Sequence, residues 1–358
     1  MINVTKTFLP SQEAYNVILK RAWDKNWITN RGVLVDELEN ELKAYLQVPH
    51  LIAMANGTLP LQIAIKALGL KGDIITTPFS YVATTSSIVW EGCKPVFVDI
   101  HPDYLTIDET KIEAAITPET SAILATHVFG NPCNIEAIES IAQKHQLKVI
   151  YDAAHCFGVT YKNQSIFNYG DVSTCSFHAT KLFHTGEGGC CITNKKELHD
   201  KLFFKHNFGH DGPGNYAGVG INAKMSELHA AMGLAVLPYI NELLNDRKKI
   251  SNLYDECFKN SNLKTLKIRE FAQWNHSYYP VILESETILL ELMKLLSENE
   301  INTRRYFYPS LDTLNYVSEA VVPISNTIAK RILCLPIYRG LSIQEVEKIA
   351  SLTKRVID

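Results

Sequence analysis

The chain has 358 residues, 46% of them hydrophobic, and its 35 basic and 38 acidic residues give a formal net charge of -3. This length suits one large domain with a smaller one around a well-buried core, and the balanced charge argues against nucleic acid and anionic membranes as partners. No apolar run is long enough for a signal-peptide core or a membrane span, so we expect a cytoplasmic protein.

The eight cysteines form no CxxC pair and have no regular spacing. Cys190 and Cys191 are adjacent and lie within an apolar run. We therefore expect reduced, buried thiols and no structural zinc site.

Seven short apolar runs, most of them bounded by Gly, Pro, Asn or Asp, predict β-strands. They cover residues 51–55, 74–76, 95–99, 122–128, 148–151, 172–177 and 189–193. Amphipathic segments such as 59–68 and 135–145 lie between the earlier runs and predict helices. Strands that alternate with helices indicate a mostly parallel sheet covered on both faces, with ligands bound beyond the carboxyl ends of the strands.

Residues 225–258 carry a long helical pattern, which Pro238 should kink or break. A strand-like run and two helical patterns follow, at residues 278–283, 287–298 and 343–357. We expect the long helix to lead into a smaller domain. The predicted domains are residues 1–235 and 236–358, and we leave open that the N-terminal segment packs on the smaller one.

Polar segments that could bind a ligand follow the first two predicted strands. Asn56-Gly57-Thr58 opens a helix, where free amides and a hydroxyl favour a phosphate. The same residue types are ordinary helix caps, and on this tripeptide alone the cap is favoured. Tyr81 follows the second strand and could stack on a flat ring, although an aromatic residue there is by itself more typical of a core.

Asp152 closes the strand KVIYD, and His155 follows three residues later. A carboxylate at a strand end could keep a pyridine nitrogen protonated, but it could equally cap the next turn. His155 by itself is more typical of a partly buried histidine with satisfied hydrogen bonds.

The sequence SFHATK at residues 176–181, followed by GEGG at 186–189, sets one lysine among small and polar side chains. Lys181 could condense with an aldehyde to form a Schiff base, which is how enzymes hold pyridoxal phosphate (PLP). Ser176 could bind a phosphate and His178 could handle protons near Lys181, although local hydrogen bonds explain either residue. Asn222 precedes the long helix and is by default its cap.

In this order and at these spacings, the segments resemble the DegT-type sugar aminotransferases, PLP enzymes of the aspartate aminotransferase fold (fold type I). The resemblance extends from residue 22 to residue 341 and is carried by NGT, PFSYVAT, THVFGNP, YDAAHCFG, CSFHATK, GEGG and GINAKMSELHAAMG. Within the family the chain looks like the transaminases of dTDP-4-dehydro-6-deoxyglucose, on NWITNRG, ANGTLPLQ, IFNYGDVSTCSFHATK and RRYFYPSL. The resemblance implies an α/β fold: a large domain with a mostly parallel seven-stranded sheet between helices, and a smaller α/β C-terminal domain.

The resemblance also implies a role for each site residue. Lys181 would hold the cofactor and later move the proton, with His178 beside it, Asp152 would pair with the pyridine nitrogen, and His155 would contact the ring. Tyr81 stands at the position of the stacking aromatic. The cofactor phosphate would be bound by Gly57, Thr58, Ser176 and, from the neighbouring subunit of a homodimer with shared active sites, Asn222.

The implied reaction is a two-stage transamination. L-Glutamate would leave its amino group on the cofactor as pyridoxamine phosphate, and a keto sugar nucleotide would then receive it, giving a 4-amino-4,6-dideoxy sugar for surface polysaccharide such as O-antigen. Candidates for the nucleotide pocket are Trp27, Thr29, Arg304, Arg305, Tyr306 and Tyr308. A guanidinium fork suits a diphosphate, although a solvated or ion-paired surface would also explain the arginine pair.

Two departures from the family pattern stand out. Leu182-Phe183-His184 is bulkier than the small polar run often found after the lysine, so the sequence does not predict the shape of the pocket wall there. Pro60 replaces a frequent alanine, but it falls in the first turn of a helix, where proline is tolerated.

Other functions remain as alternatives. Amination at sugar carbon 3, or of another keto sugar nucleotide, depends on how the hexose lies in the pocket. A PLP sugar dehydratase of this fold would carry histidine in place of Lys181, and a non-catalytic PLP-binding regulator would lose the set formed by Lys181, Asp152 and His155. A nucleotide-dependent dehydrogenase would show GxGxxG at the first helix, and that motif is missing there.

Overall fold

The computed structural model describes residues 1–357, in which two packed cores flank one cavity. The strands are His50–Met54 (β1), Asp73–Thr76 (β2), Lys94–Phe97 (β3), Thr120–Thr126 (β4), Lys148–Asp152 (β5), Thr160–Tyr161 (β6), Gln164–Ser165 (β7), Val172–Ser176 (β8), Gly189–Thr193 (β9), Lys264–Thr265 (β10), Ala272–Gln273 (β11), Tyr279–Ile282 (β12) and Ile332–Leu335 (β13). The helices are Gln12–Asp24 (α1), Val33–Leu46 (α2), Leu59–Ala67 (α3), Val82–Trp90 (α4), Glu109–Ile112 (α5), Ile135–His145 (α6), Lys196–His206 (α7), Glu227–Val236 (α8), Ile240–Phe258 (α9), Glu286–Glu298 (α10), Pro323–Arg331 (α11) and Ile343–Ile357 (α12).

The first core is built on a seven-stranded sheet with the strand order β1-β9-β8-β5-β4-β2-β3. The pairings from β8 through β5, β4 and β2 to β3 are parallel, and β9 alone runs against its two neighbours. Alternate residues of a strand face opposite sides, so Leu51 and Ala53 enter one hydrophobic cluster while Ile52 and Met54 enter another. The predicted α/β fold is confirmed, and each predicted strand lies within two residues of an observed one.

The second core combines the antiparallel sheet β10-β12-β13 with α9, α10 and α12. The chain enters it through α8 and α9, which are separated by a single 3₁₀ turn at Leu237–Tyr239. The break predicted at Pro238 is therefore confirmed. Ile2 packs in this core and exchanges backbone hydrogen bonds of 2.7 Å with Glu300 and Asn302. The domain boundary at residues 235 and 236 stays a prediction.

The buried carboxylate of Glu227, at the start of α8, caps the N-terminus of α2. Its two oxygens accept hydrogen bonds from the backbone N–H groups of Gly32, Leu34 and Val35 at 3.0, 2.7 and 3.1 Å. These donors have no partner within their own helix, and their dipoles favour a negative charge. The contact fixes the loop before α2 against the first core.

We expect Glu227→Gln to lower the free energy of unfolding by about 2–3 kcal/mol. The glutamine amide has one oxygen in place of two, so its NH₂ group would face a buried backbone N–H that has lost its acceptor. Urea unfolding of the apoprotein measures this loss. Glu41→Gln, on the exposed face of α2, is the matched control and should change the value by less than about 0.5 kcal/mol. Equal midpoints for the two variants would contradict the capping role.

No helix among residues 1–357 combines the length and the apolarity needed to cross a bilayer. All eight cysteines are free thiols, and seven of them are buried. Burial raises the pKa of the Cys175 thiol to about 12, which makes it a poor nucleophile at neutral pH.

Candidate active site

A cavity of about 680 Å³ lies at the carboxyl edge of the seven-stranded sheet, where β1, β5 and β8 end. The opposite wall comes from the segment between α10 and α11. The predicted site residues that line the cavity are Gly57, Thr58, Tyr81, Asp152, His155, Ser176, His178, Lys181, Arg304, Arg305, Tyr306 and Tyr308. The fold thus gathers at one place residues that the sequence scatters over 250 positions.

Three predicted site residues lie outside this cavity. Trp27, Thr29 and Asn222 are exposed on the surface of the chain and do not line it. The Asn222 side-chain oxygen accepts a hydrogen bond from Lys224 Nζ at 2.7 Å. Within the single chain, these residues are therefore not part of the cavity lining.

The turn between β1 and α3 forms a narrow polar cradle. Asn56 Oδ1 accepts hydrogen bonds from the backbone N–H groups of Thr58 and Leu59, both at 2.9 Å, and thereby fixes the turn that precedes α3. A Cβ on Gly57 would lie 2.8 Å from the Ser176 Oγ, so only glycine lets the serine approach this closely. Across the described residues, neither the Gly57 N–H nor the Thr58 hydroxyl has a hydrogen-bond partner, and both residues line the cavity.

Asp152 is buried at the end of β5 and is held by two hydrogen bonds. The Thr84 hydroxyl donates to Oδ2 at 2.6 Å, and the Ala154 backbone N–H donates to Oδ1 at 3.2 Å. Burial raises the pKa of Asp152, while these two donors and the Lys181 amine oppose the rise. The carboxylate is thus fixed in position and costly to ionise without a cationic partner.

His155 forms part of an aromatic wall. Its Nδ1 accepts a hydrogen bond from the Phe129 backbone N–H at 3.2 Å, which leaves the ring proton on Nε2. Burial and the Lys181 charge hold the pKa of His155 well below its ordinary value, so the ring is neutral at neutral pH. The His155 ring lies parallel to the Phe307 ring, with centroids 5.8 Å apart, and 4.6 Å from the Tyr278 ring.

Lys181 lies in the turn after β8 and projects into the cavity beside Asp152 and His155. Its Nζ is 3.3 Å from the hydroxyl of Tyr278. Burial lowers the pKa of Lys181, and this effect is opposed by Tyr306, Asp152 and Cys175. A lowered pKa increases the fraction of neutral amine, the form of lysine that attacks a carbonyl.

His178, predicted as a proton carrier, is engaged within its own turn. Its Nδ1 accepts from the Thr180 backbone N–H at 3.2 Å and lies 2.8 Å from the Thr180 hydroxyl. Its Nε2 lies 3.7 Å from a Glu187 oxygen, and Lys181 Nζ is not among its hydrogen-bond partners in residues 1–357. A catalytic role for His178 stays a prediction.

The bulky residues after Lys181 belong to the core. Phe183 is fully buried against Phe157 and Phe177, and the His184 Nε2 is 2.6 Å from the backbone oxygen of Phe8. The Thr7 hydroxyl donates to the Ala179 carbonyl oxygen at 2.9 Å. The turn that carries Lys181, here called the lysine turn, is therefore anchored by the hydrophobic core and by the N-terminal segment. The bulky side chains of residues 182–184 do not line the main cavity.

The two neighbouring arginines are placed differently. Arg305 forms an ion pair with Glu286 at 2.7 Å and stacks over the Tyr308 ring at 3.5 Å. Arg304 is exposed, donates to the Tyr306 hydroxyl at 2.6 Å and has no carboxylate partner among residues 1–357. Arg304 is thus the cation available to an anionic ligand in this cavity.

Sequence reasoning missed Thr84 and Tyr278, which hold Asp152 and Lys181. Thr84 lies within the segment PFSYVATT, and Tyr278 begins a run that was interpreted as an ordinary strand. Each is a common residue whose partner is distant in the chain, 68 and 97 positions away. No local signal in the sequence marks either residue.

The sequence matches the DegT/DnrJ/EryC1/StrS aminotransferase family over residues 11–353. The chain belongs to this family. It is 42% identical to a dTDP-4-amino-4,6-dideoxy-D-glucose transaminase of Shigella dysenteriae over 99% of both chains, and 31% identical to a GDP-perosamine synthase of Vibrio cholerae over 92% of this chain and 93% of that one. The crystal structure of DesI in the presence of its TDP-sugar product superposes with a TM-score of 0.94 at 31% identity, covering 99% of this chain and 92% of that one.

Membership identifies the fold as that of PLP-dependent transferases of fold type I, the protein as an aminotransferase and its cofactor as PLP. The cavity fits that cofactor. PLP needs an amine for its aldehyde, a carboxylate for its ring nitrogen and donors for its phosphate, and Lys181, Asp152 and the Gly57–Ser176 cradle, which all line the cavity, would supply these. In the described part of the chain, no group of three His, Cys, Asp or Glu side chains could hold a metal ion.

Proposed function

We propose that this aminotransferase moves an amino group from L-glutamate to carbon 4 of dTDP-4-dehydro-6-deoxyglucose. The observation that carries the proposal is the 42% identity, over 99% of both chains, to the Shigella dysenteriae dTDP-4-amino-4,6-dideoxy-D-glucose transaminase. The free cation Arg304 at the cavity supports a substrate with a diphosphate, because a guanidinium matches phosphate oxygens in charge and geometry.

In this proposal the residues divide the chemistry among them. When bound, PLP supplies an electron-withdrawing ring that stabilises the carbanion at the substrate carbon. Asp152, fixed by Thr84, keeps a proton on the ring nitrogen, and Lys181 removes the proton from the substrate carbon as a neutral amine. The Phe129, His155 and Phe307 rings exclude water from this wall.

A homodimer with shared active sites is part of the proposal. Trp27, Thr29 and Asn222 are exposed and lie outside the cavity of their own protomer, so in the dimer they would contribute to the cavity of the second copy. Asn222 would then reach the cofactor phosphate. The cytoplasmic location and the use of the product for surface polysaccharide stay predictions.

Product analysis tests the function. Purified protein with PLP and L-glutamate is given dTDP-4-dehydro-6-deoxyglucose, and NMR of the isolated nucleotide sugar locates the new amine. We expect the amine on carbon 4, together with one equivalent of 2-oxoglutarate. An amine on carbon 3, or no amination, would contradict the proposal.

A GDP-linked 4-keto sugar is the second candidate, because GDP-perosamine synthases are 31% to 33% identical to the chain. The matched experiment replaces the dTDP sugar with its GDP counterpart at equal concentration. The proposal requires that kcat/KM be larger for the dTDP sugar than for the GDP sugar. A larger value for the GDP sugar would make the GDP sugar the preferred substrate. If L-glutamate yields no 2-oxoglutarate in the presence of either sugar nucleotide, a non-catalytic PLP-binding regulator is favoured.

A further inference from the structure

The amine of Lys181 has one side-chain hydrogen-bond partner among the described residues, and it is not a residue of the lysine turn. That partner is the hydroxyl of Tyr278, 3.3 Å from Nζ. Tyr278 directly precedes β12 in the second core, whereas Lys181 follows β8 in the first. The contact therefore joins the two cores at the reactive nitrogen.

The Tyr278 ring is held on several sides. It lies 4.6 Å from the His155 ring and 5.6 Å from the rings of both Phe129 and Tyr306. Burial raises the pKa of Tyr278 further above neutrality, so its hydroxyl keeps its proton. Such a hydroxyl can donate to the lone pair of a neutral amine and can accept from an ammonium.

We propose that the Tyr278 hydroxyl is the positioning group that holds the Lys181 amine whenever that amine is free of the cofactor. His178 cannot serve in this way, because its ring bonds to Thr180 and faces Glu187. A lysine side chain has four rotatable bonds, so an unheld amine would sample many positions. Tyr278 confines it beside Asp152 and His155, where the proton must be taken and returned.

Tyr278→Phe removes the hydroxyl and keeps the ring packing. The matched control is Tyr279→Phe, the same change at the next residue, whose hydroxyl contacts Asp255 in the second core at 2.8 Å. Apoprotein is mixed with PLP at a series of pH values and reduced with borohydride, and mass spectrometry measures the fraction of Lys181 that carries the cofactor. Thermal unfolding checks that both variants are folded.

We expect the pH midpoint of capture to move down by about 0.5–1 unit in Tyr278→Phe, because a hydrogen bond to the ammonium is stronger than one to the neutral amine. Capture at high pH should remain complete. The turnover number should fall about 10- to 100-fold with KM for L-glutamate unchanged, because a misplaced group slows the reaction without weakening binding. The other titratable and charged groups facing Lys181, which the substitution leaves in place, are Asp152, His155, Cys156, Cys175, Arg304 and Tyr306.

Tyr279→Phe should match the wild-type chain in both measurements. An unchanged midpoint in Tyr278→Phe, a midpoint shift in the control, or loss of capture at every pH would each overturn the proposal. The proposal depends on PLP as the cofactor and not on the sugar. Capture without added sugar therefore tests it even if the dTDP substrate is wrong.

Discussion

Replacing Lys181 with alanine is expected to lower the rate of transamination by about 10⁴-fold or more. Of residues 1–357, Lys181 supplies the one amine that lines the cavity. The variant loses both the group that attaches to the cofactor aldehyde and the base that moves the substrate proton. Alanine leaves the Thr7 and His184 anchors of the turn in place, so the fold should survive.

The measurement is single-turnover formation of 2-oxoglutarate, together with borohydride capture of PLP on the lysine peptide. Lys294→Ala is the matched control, because Lys294 is an exposed lysine on α10 whose nearest carboxylate is 3.9 Å away. The control should behave as the wild-type chain does. If Lys181→Ala keeps more than about one hundredth of the wild-type rate, Lys181 is not the general base, since the loss of a general base alone lowers the rate by 10²–10⁴-fold.

The fold was predictable because its signals are local. The strand Gly189–Thr193 and the helices Ile135–His145 and Ile343–Ile357 occur at the predicted residues, since short apolar runs and 3.6-residue periodicity report which side chains face a core. Pro238 marked the break between α8 and α9 through its missing N–H. The cap of α2 could not be predicted, because its acid, Glu227, lies 195 positions from Gly32.

The sequence could predict which residues of three separate motifs line the cavity. Lys181, Asp152 and Gly57 lie at strand ends, and a parallel sheet brings such ends to one edge. The hydrogen bonds that hold them come from Thr84 and Tyr278, and a sequence cannot show which hydroxyl reaches which partner across 68 or 97 positions. The family resemblance therefore implied the candidate reactive groups but not the hydroxyls that hold them.

Replacing Asp152 with asparagine is the second substitution with a large expected effect, about a 10³-fold loss of transamination. An amide cannot hold a proton on the ring nitrogen, so the ring would no longer stabilise negative charge at the substrate carbon. Asparagine is nearly isosteric and can still bond to Thr84 and to the Ala154 N–H. Lys181 should therefore still capture PLP, which separates this variant from Lys181→Ala.

The stability of the apoprotein should move in the opposite direction from the activity. Because burial raises the folded-state pKa of Asp152, the ionised carboxylate disfavours the folded chain at neutral pH, and this penalty disappears as the pH falls through that pKa. Asp152→Asn removes the charge, so its apoprotein should unfold at a temperature equal to or above the wild-type value at pH 7.

Asp200→Asn, a surface carboxylate paired with Lys196, is the control and should leave activity unchanged. If Asp152→Asn is inactive with PLP and its apoprotein is also less stable than wild type at pH 7, the carboxylate stabilises the fold. An inactive variant of equal or greater stability would show that a buried charge is kept at this strand end because the cofactor requires it.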